Sequence, residues 1–281
     1  MKRSIPLLLL AAVAIYGQVN AQSKQVQKLL PPPANVTIDG NLTDWGDSLR
    51  YHNQEKNLNY TLANDHDNLY AVIKISDRLE QARVLNAGIT LSIDTRGKKK
   101  ETFSMTFPLR YPGSPAPAFN QHKNDGGEIT REEREELMRE RITTLRSIKV
   151  TGFKDIEGDM ITTSNTYGIK AAINYDADGN LIYETAIPVK FFHVDDPAKG
   201  EWAFNFKING LQKPDRTADR GGDMQSKGGM GGGRGGMGGG GGMGGGRGGR
   251  GMGRGPEGNN ADRGEIFKSI DFWEKYTLNQ K

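Results

Sequence analysis

The chain of 281 residues has no cysteine, only four histidines and three tryptophans, and no apolar run of the ~20 residues that a transmembrane helix needs. The missing cysteine excludes disulfides, thiolate metal sites and a lipid anchor on a cysteine behind an export signal. Stability must therefore come from a buried core. Motifs of catalysis are also lacking. There is no G-x-S-x-G, no H-E-x-x-H and no phosphate loop ending in Gly-Lys-Ser/Thr. Carboxylate pairs such as Asp44/Asp47 and Glu132/Glu133 could be drawn as acid and base. A chain that is 26% charged offers many such pairs, and none has a spacing that marks a site. The expectation is a protein that is not an enzyme.

What is present begins with an export signal over residues 1–21. Lys2 and Arg3 precede the apolar run Ile5–Ile15, and Val19-Asn20-Ala21 places small residues at a cleavage site. The mature chain is expected to start near Gln22, in the periplasm or outside the cell, with no transmembrane segment. Net charge is +4 by formal count, but it is unevenly spread. Seven cations against Asp219 and Asp223 give the stretch 216–256 about +5. Without it and the signal, the body carries about −3. A basic nucleic-acid-binding fold is thereby disfavoured.

Residues 22–34 are polar and then proline-rich, the composition of a leader or semi-rigid spacer. From Val36 onward, short alternating segments predict strands at 36–39, 58–63, 69–76, 88–94, 102–108, 148–153, 167–175, 181–188, 202–208 and within 266–278. Asp39-Gly40 and Asp178-Gly179 mark turns. Residues 109–127 predict a long irregular loop. The capping box Thr130-x-x-Glu133 opens a helical insertion within 128–146 that should lie on the surface. The stretch 221–256 holds 22 glycines in 36 residues, too little apolar surface to offset its ordering entropy, so a disordered Gly/Arg/Met-rich loop is expected there. The fold class is mainly β, an antiparallel β-sandwich (jelly-roll-like) over 35–278.

The order of segments resembles family 9 carbohydrate-binding modules and their DOMON-like relatives. Val36–Trp45 resembles their "IDG, then acid, then Trp" opening, and Asp67–Asp77 their strand with a closing acid. Ile89–Asp94 resembles the "I-x-I-D" strand, Tyr183–Pro188 the "Y-E-x-x-I-P" strand, and Trp202–Ile208 the "G-F-N-x-x-V" strand. The resemblance implies a sandwich that binds sugar between two tryptophans, one just before the "I-x-I-D" strand and one near the C-terminus. Here Arg78–Gly88 contains no aromatic residue. A sugar site would instead draw on loops 109–127 and 209–220 and on the last strand, with Tyr111, Phe119, Asn209 and Trp273 as candidate contacts. Trp45 is expected to plug one end of the sandwich, and Trp202 to be core.

Three further groups carry expectations. Asp65, Asp67 and Asn68, like Asp176, Asp178 and Asn180, offer oxygen ligands for structural calcium, although both sit where a hairpin needs Asp and Asn anyway. Met105 or Met160 would serve a haem binder as axial ligand and is more simply core or loop. Methionines 230, 237, 243 and 252 would suit Cu(I), but without assisting His or Cys the glycine tract reads better as a cationic loop touching an anionic surface polymer. The leading expectation is a noncatalytic exported module that binds a glycan or surface polymer. The alternative is a structural envelope protein that meets a protein partner through the Gly/Arg/Met loop.

Overall fold

Alternating apolar and polar residues give each segment one face for a core and one for water, and two sheets packed face to face satisfy many such segments at once. The computed structural model describes residues 27–46, 49–110, 131–212 and 264–280. The expected signal, Tyr111, Phe119 and the glycine-rich tract lie outside the described residues. Twelve strands occur: β1 (Gln27–Lys28), β2 (Tyr51–Asn53), β3 (Leu58–Asn64), β4 (Asn68–Ile75), β5 (Ile89–Asp94), β6 (Phe103–Leu109), β7 (Ser147–Thr151), β8 (Met160–Thr162), β9 (Lys170–Tyr175), β10 (Leu181–Pro188), β11 (Glu201–Ile208) and β12 (Ile270–Thr277). They build a seven-stranded sheet in the order β1-β12-β11-β5-β6-β7-β8 and a five-stranded sheet in the order β2-β3-β4-β10-β9. The fold is the expected mainly β sandwich. No described helix is long and apolar enough to cross a membrane.

One core lies between the sheets. Leu62, Ile73, Tyr183 and Ile187 from the smaller sheet meet Leu91, Met105, Phe107, Trp202, Phe204 and Phe206 from the larger. Trp202 is fully buried as expected, edge-on to Phe192 at 5.1 Å between ring centroids. Met105 is equally buried and packs in this core, where its sulfur accepts a hydrogen bond from Thr185 Oγ1 at 3.5 Å.

Several local readings differ from the structure. Residues 27–30 are not a spacer. β1 pairs in parallel with β12, and Leu29 is 1% exposed within the core. Val36–Asp39 is not a strand, because it lies as irregular chain across the outer surface of the five-stranded sheet. Trp45 covers that same outer surface rather than an end of the sandwich.

The segment Arg78–Ala87, where the sequence pattern predicts no element, is a helix, α1. Asp77 caps it by accepting from the Glu80 N–H at 2.9 Å, and Gly88 ends it at φ 75°. A Cβ at Gly88 would come within 2.4 Å of the Pro108 carbonyl, so glycine is required twice over. The expected insertion helix is α2 (Arg131–Thr144), with Ile142 half-buried against the core.

Candidate functional site

The acids that carry the family resemblance turn out to hold the frame. Glu184 of β10 points away from the core yet is fully buried, because residues 36–45 strap over it. Its Oε2 accepts the N–H groups of Gly40 at 2.6 Å and Asp39 at 3.0 Å. Its Oε1 accepts the indole N–H of Trp45 at 2.6 Å. Burial pushes the Glu184 carboxyl above its usual range, and these three donors offset that only in part. Gly40 stands at φ 82°, and a Cβ there would meet the Asn174 backbone at 2.7 Å, so only glycine lets the strap approach the sheet this closely. Trp45 then lies edge-on to Tyr70, ring centroids 6.0 Å apart.

Asp94, which closes the "I-x-I-D" strand, folds the basic turn behind it. Its carboxylate accepts from the N–H groups of Arg96, Lys98 and Lys100 at 3.0, 2.8 and 3.0 Å. Burial pushes this carboxyl up, but the backbone donors of Lys100, Arg96 and Lys98 outweigh it and hold the group below its usual range. Asn205 is fixed likewise, its Nδ2 donating to Asp271 Oδ2 at 3.1 Å and to the Phe272 carbonyl at 3.0 Å.

The two hairpin clusters are also internally occupied. Asp65 Oδ1 accepts from the N–H groups of Asp67 and Asn68 at 2.8 and 2.7 Å, and its Oδ2 from the Tyr70 hydroxyl at 2.8 Å. Asp67 bonds the His66 ring at 2.9 Å. Asp176 gathers the N–H groups of Asp178 and Asn180 and the Asn180 amide. Among the described residues no group of three or more His, Cys, Asp or Glu stands where it could hold one metal ion. An open depression of about 600 Å³ lies beside the first cluster, lined by His66, Lys190, His193 and Asp195 among others. His193 there meets Asp155 at 2.8 Å.

The outer face of the seven-stranded sheet is different in kind. Strand pairing places Trp273, Asn205, Ser92, Ser104 and Thr151 in one row across five strands. At ~4.8 Å per strand that row is ~19 Å long. The next row, ~7 Å along the strands, is Asp271, Lys207, Thr90, Thr106 and Lys149. Thr90 and Thr106 share a hydroxyl–hydroxyl bond of 2.8 Å, and Asn209 Nδ2 donates to Thr90 Oγ1 at 2.9 Å. Ser92 is fully enclosed at the centre of the first row, and its hydroxyl has no hydrogen-bond partner among the described residues. Trp273 is half-buried, and its indole neither makes a hydrogen bond nor stacks on another ring among the described residues.

Two of the four candidate sugar contacts, Asn209 and Trp273, therefore share this face. They stand about four residues apart along neighbouring strands, ~13 Å. Asn209 also braces the start of β5, with Nδ2 donating to the Ala87 carbonyl at 3.1 Å. The segments 111–130 and 213–263 leave from the same end of this sheet, since Arg110, Gln212 and Gly264 flank the paired ends of β6, β11 and β12. Arg110 reaches Asn86 of α1 there at 2.9 Å.

In comparisons with known proteins, no family model matches the chain and no curated protein matches it, so the likeness to family 9 carbohydrate-binding modules rests on the five segments themselves.

Proposed function

We propose that this protein is an exported, noncatalytic carbohydrate-binding module whose glycan lies on the outer face of the seven-stranded sheet. The observation that carries the reading is Trp273, an indole with no hydrogen-bond or ring partner among the described residues, set beside rows of hydroxyl and amide groups on one sheet face. A flat aromatic surface suits the C–H face of a pyranose, while Thr90, Thr106 and Ser104 supply the kind of groups that meet sugar hydroxyls. The five segments that resemble family 9 modules support the same class of ligand. Their acids are committed to the frame, which moves the proposed contacts from the family's paired tryptophans to the sheet face.

The test is a glycan array with calorimetric follow-up on the full chain and on Trp273→Ala. Wild-type binding that falls about tenfold in the variant, with the fold retained, is the expected result, since an aromatic platform contributes ~1–3 kcal/mol. Absence of any saccharide binding, or equal binding by the variant, would refute it.

A further inference from the structure

The charges of the seven-stranded face show a division that a neutral sugar would not require. Lys275 is ion-paired with Glu201 across β11 and β12. Asp271 accepts the Asn205 amide. Lys207 and Lys149, by contrast, form no ion pair among the described residues, although Lys207 stands opposite Asp271 in register.

These two ammonium groups belong to one row, Lys207–Thr90–Thr106–Lys149, which places them three strands apart, ~14 Å between backbones. Between them lies the bonded pair of threonine hydroxyls. Beside them, one row over, is Trp273. A lysine ammonium is a compact point charge on a flexible stem that reaches anions without demanding fixed geometry. Two of them at the ends of a hydroxyl row match a chain-like ligand that repeats its negative charge, better than a single ion or a lone sugar.

We infer, resting on the glycan reading above, that the ligand of this face is an acidic glycan, its carboxylate or sulfate groups met by Lys207 and Lys149 while a sugar ring stacks on Trp273. The source of the charge, uronate or sulfate ester, is the same chemistry to an ammonium group and is separated by the choice of probe.

The experiment is calorimetry on the full chain with tetrasaccharides of galacturonate, mannuronate and chondroitin sulfate, with methyl-esterified uronate tetramers and cellotetraose as neutral controls. The acidic probes are expected to bind, more weakly as salt is raised, and the esters to bind far less. The double variant Lys149→Gln/Lys207→Gln should lose about tenfold in affinity for acidic probes, with no loss toward neutral ones. Asp271→Asn, which removes the one opposing charge of the row, should strengthen acidic binding by a few fold. Uronates binding without the sulfated probe, or the reverse, assigns the charged group. Equal binding of acids and esters, or acidic binding unmoved by the lysine pair, overturns the inference and leaves the glycan reading standing. No binding by any probe overturns both.

Discussion

The two outer faces of this sandwich start from similar material and end in opposite states. On the five-stranded sheet a tryptophan, Trp45, is drawn down by a buried carboxylate and covered edge-on by Tyr70. All eight residues of β10 are buried as a result, although only alternate ones face the core. On the seven-stranded sheet no strap is seen among the described residues, and Trp273 has neither a hydrogen bond nor a ring partner. A tryptophan spent on architecture thus has its polar handle satisfied within the protein. One without such a partner is the better candidate for a ligand. The same sorting separates the charges: Glu184 and Asp94 have backbone donors gathered around them, and the cations Lys149 and Lys207 form no ion pair among the described residues.

The strongest way to break this comparison is to release the strap. Glu184→Ala leaves the N–H groups of Asp39 and Gly40 and the Trp45 indole without their acceptor at a buried site. At ~1–3 kcal/mol for an abandoned buried donor, with part regained from water once the strap lifts, a loss of about 3 kcal/mol is expected. Urea unfolding measures it. Limited proteolysis should show new cleavage within residues 36–45. A variant as stable as wild type and equally resistant to protease would show that the strap does not depend on Glu184.

Trp45→Ala should come next. It removes a half-buried ring and one charge-assisted hydrogen bond, for about 2 kcal/mol by the same unfolding measurement. Asp94→Asn should cost a similar amount at neutral pH, because three backbone donors would then share a neutral amide in place of a carboxylate.

How much of this was legible in the chain depends on how far each feature reaches. Strands such as Leu58–Asn64 and Leu181–Pro188 are stated locally by alternation and β-branched residues, and their bounds were readable within a residue or two. α1 was not read, since two of its buried side chains are Gln81 and Arg83, which break the apolar stripe that announces a helix. Its cap was in plain view, with Asp77 followed three residues later by Glu80, and Gly88 at the exit. The strands β1, β2 and β8 have two or three residues each, and only tertiary pairing makes them strands. Trp273 and Asn209 could be chosen as site residues because they stand at the sequence edges of an insertion. Thr90, Ser92, Thr106, Lys149 and Lys207 could not, because the rows exist only once five strands are set in register.

Titration gives a contrast in sign rather than size. The Glu184 carboxyl is raised above its ordinary value of 4.5 by burial, so the native state holds that proton more tightly than the unfolded chain. Its contribution is therefore fully present below the unfolded pKa and is lost as pH rises through the raised one. Asp94 lies below its ordinary value of 3.8, so its contribution is present above that value and is lost as pH falls through the lowered one. Stability measured from acid to neutral pH on wild type, Glu184→Gln and Asp94→Asn separates the two. The gap between wild type and Asp94→Asn should narrow toward acid. The gap between wild type and Glu184→Gln should shift in favour of the variant as pH rises above about 4.5. Parallel curves for either variant would mean that its carboxyl titrates as it does in the unfolded chain.

The smallest expected effect on stability carries the most weight for function. Trp273→Ala should cost about 1 kcal/mol or less, the area of a half-buried ring with no hydrogen bond or ring contact among the described residues to lose. Set beside Trp45→Ala, it compares the two outer-face tryptophans directly, one fixed by a carboxylate and one left open. A large loss at Trp273 would mean that the indole shields the row beneath it, where Asn205 and Ser92 are almost wholly enclosed. The ring would then belong to the frame as Trp45 does, and the seven-stranded face would lose its claim to a ligand. A near-zero loss, together with loss of saccharide binding, would place the ring's purpose outside the fold and in what the face receives.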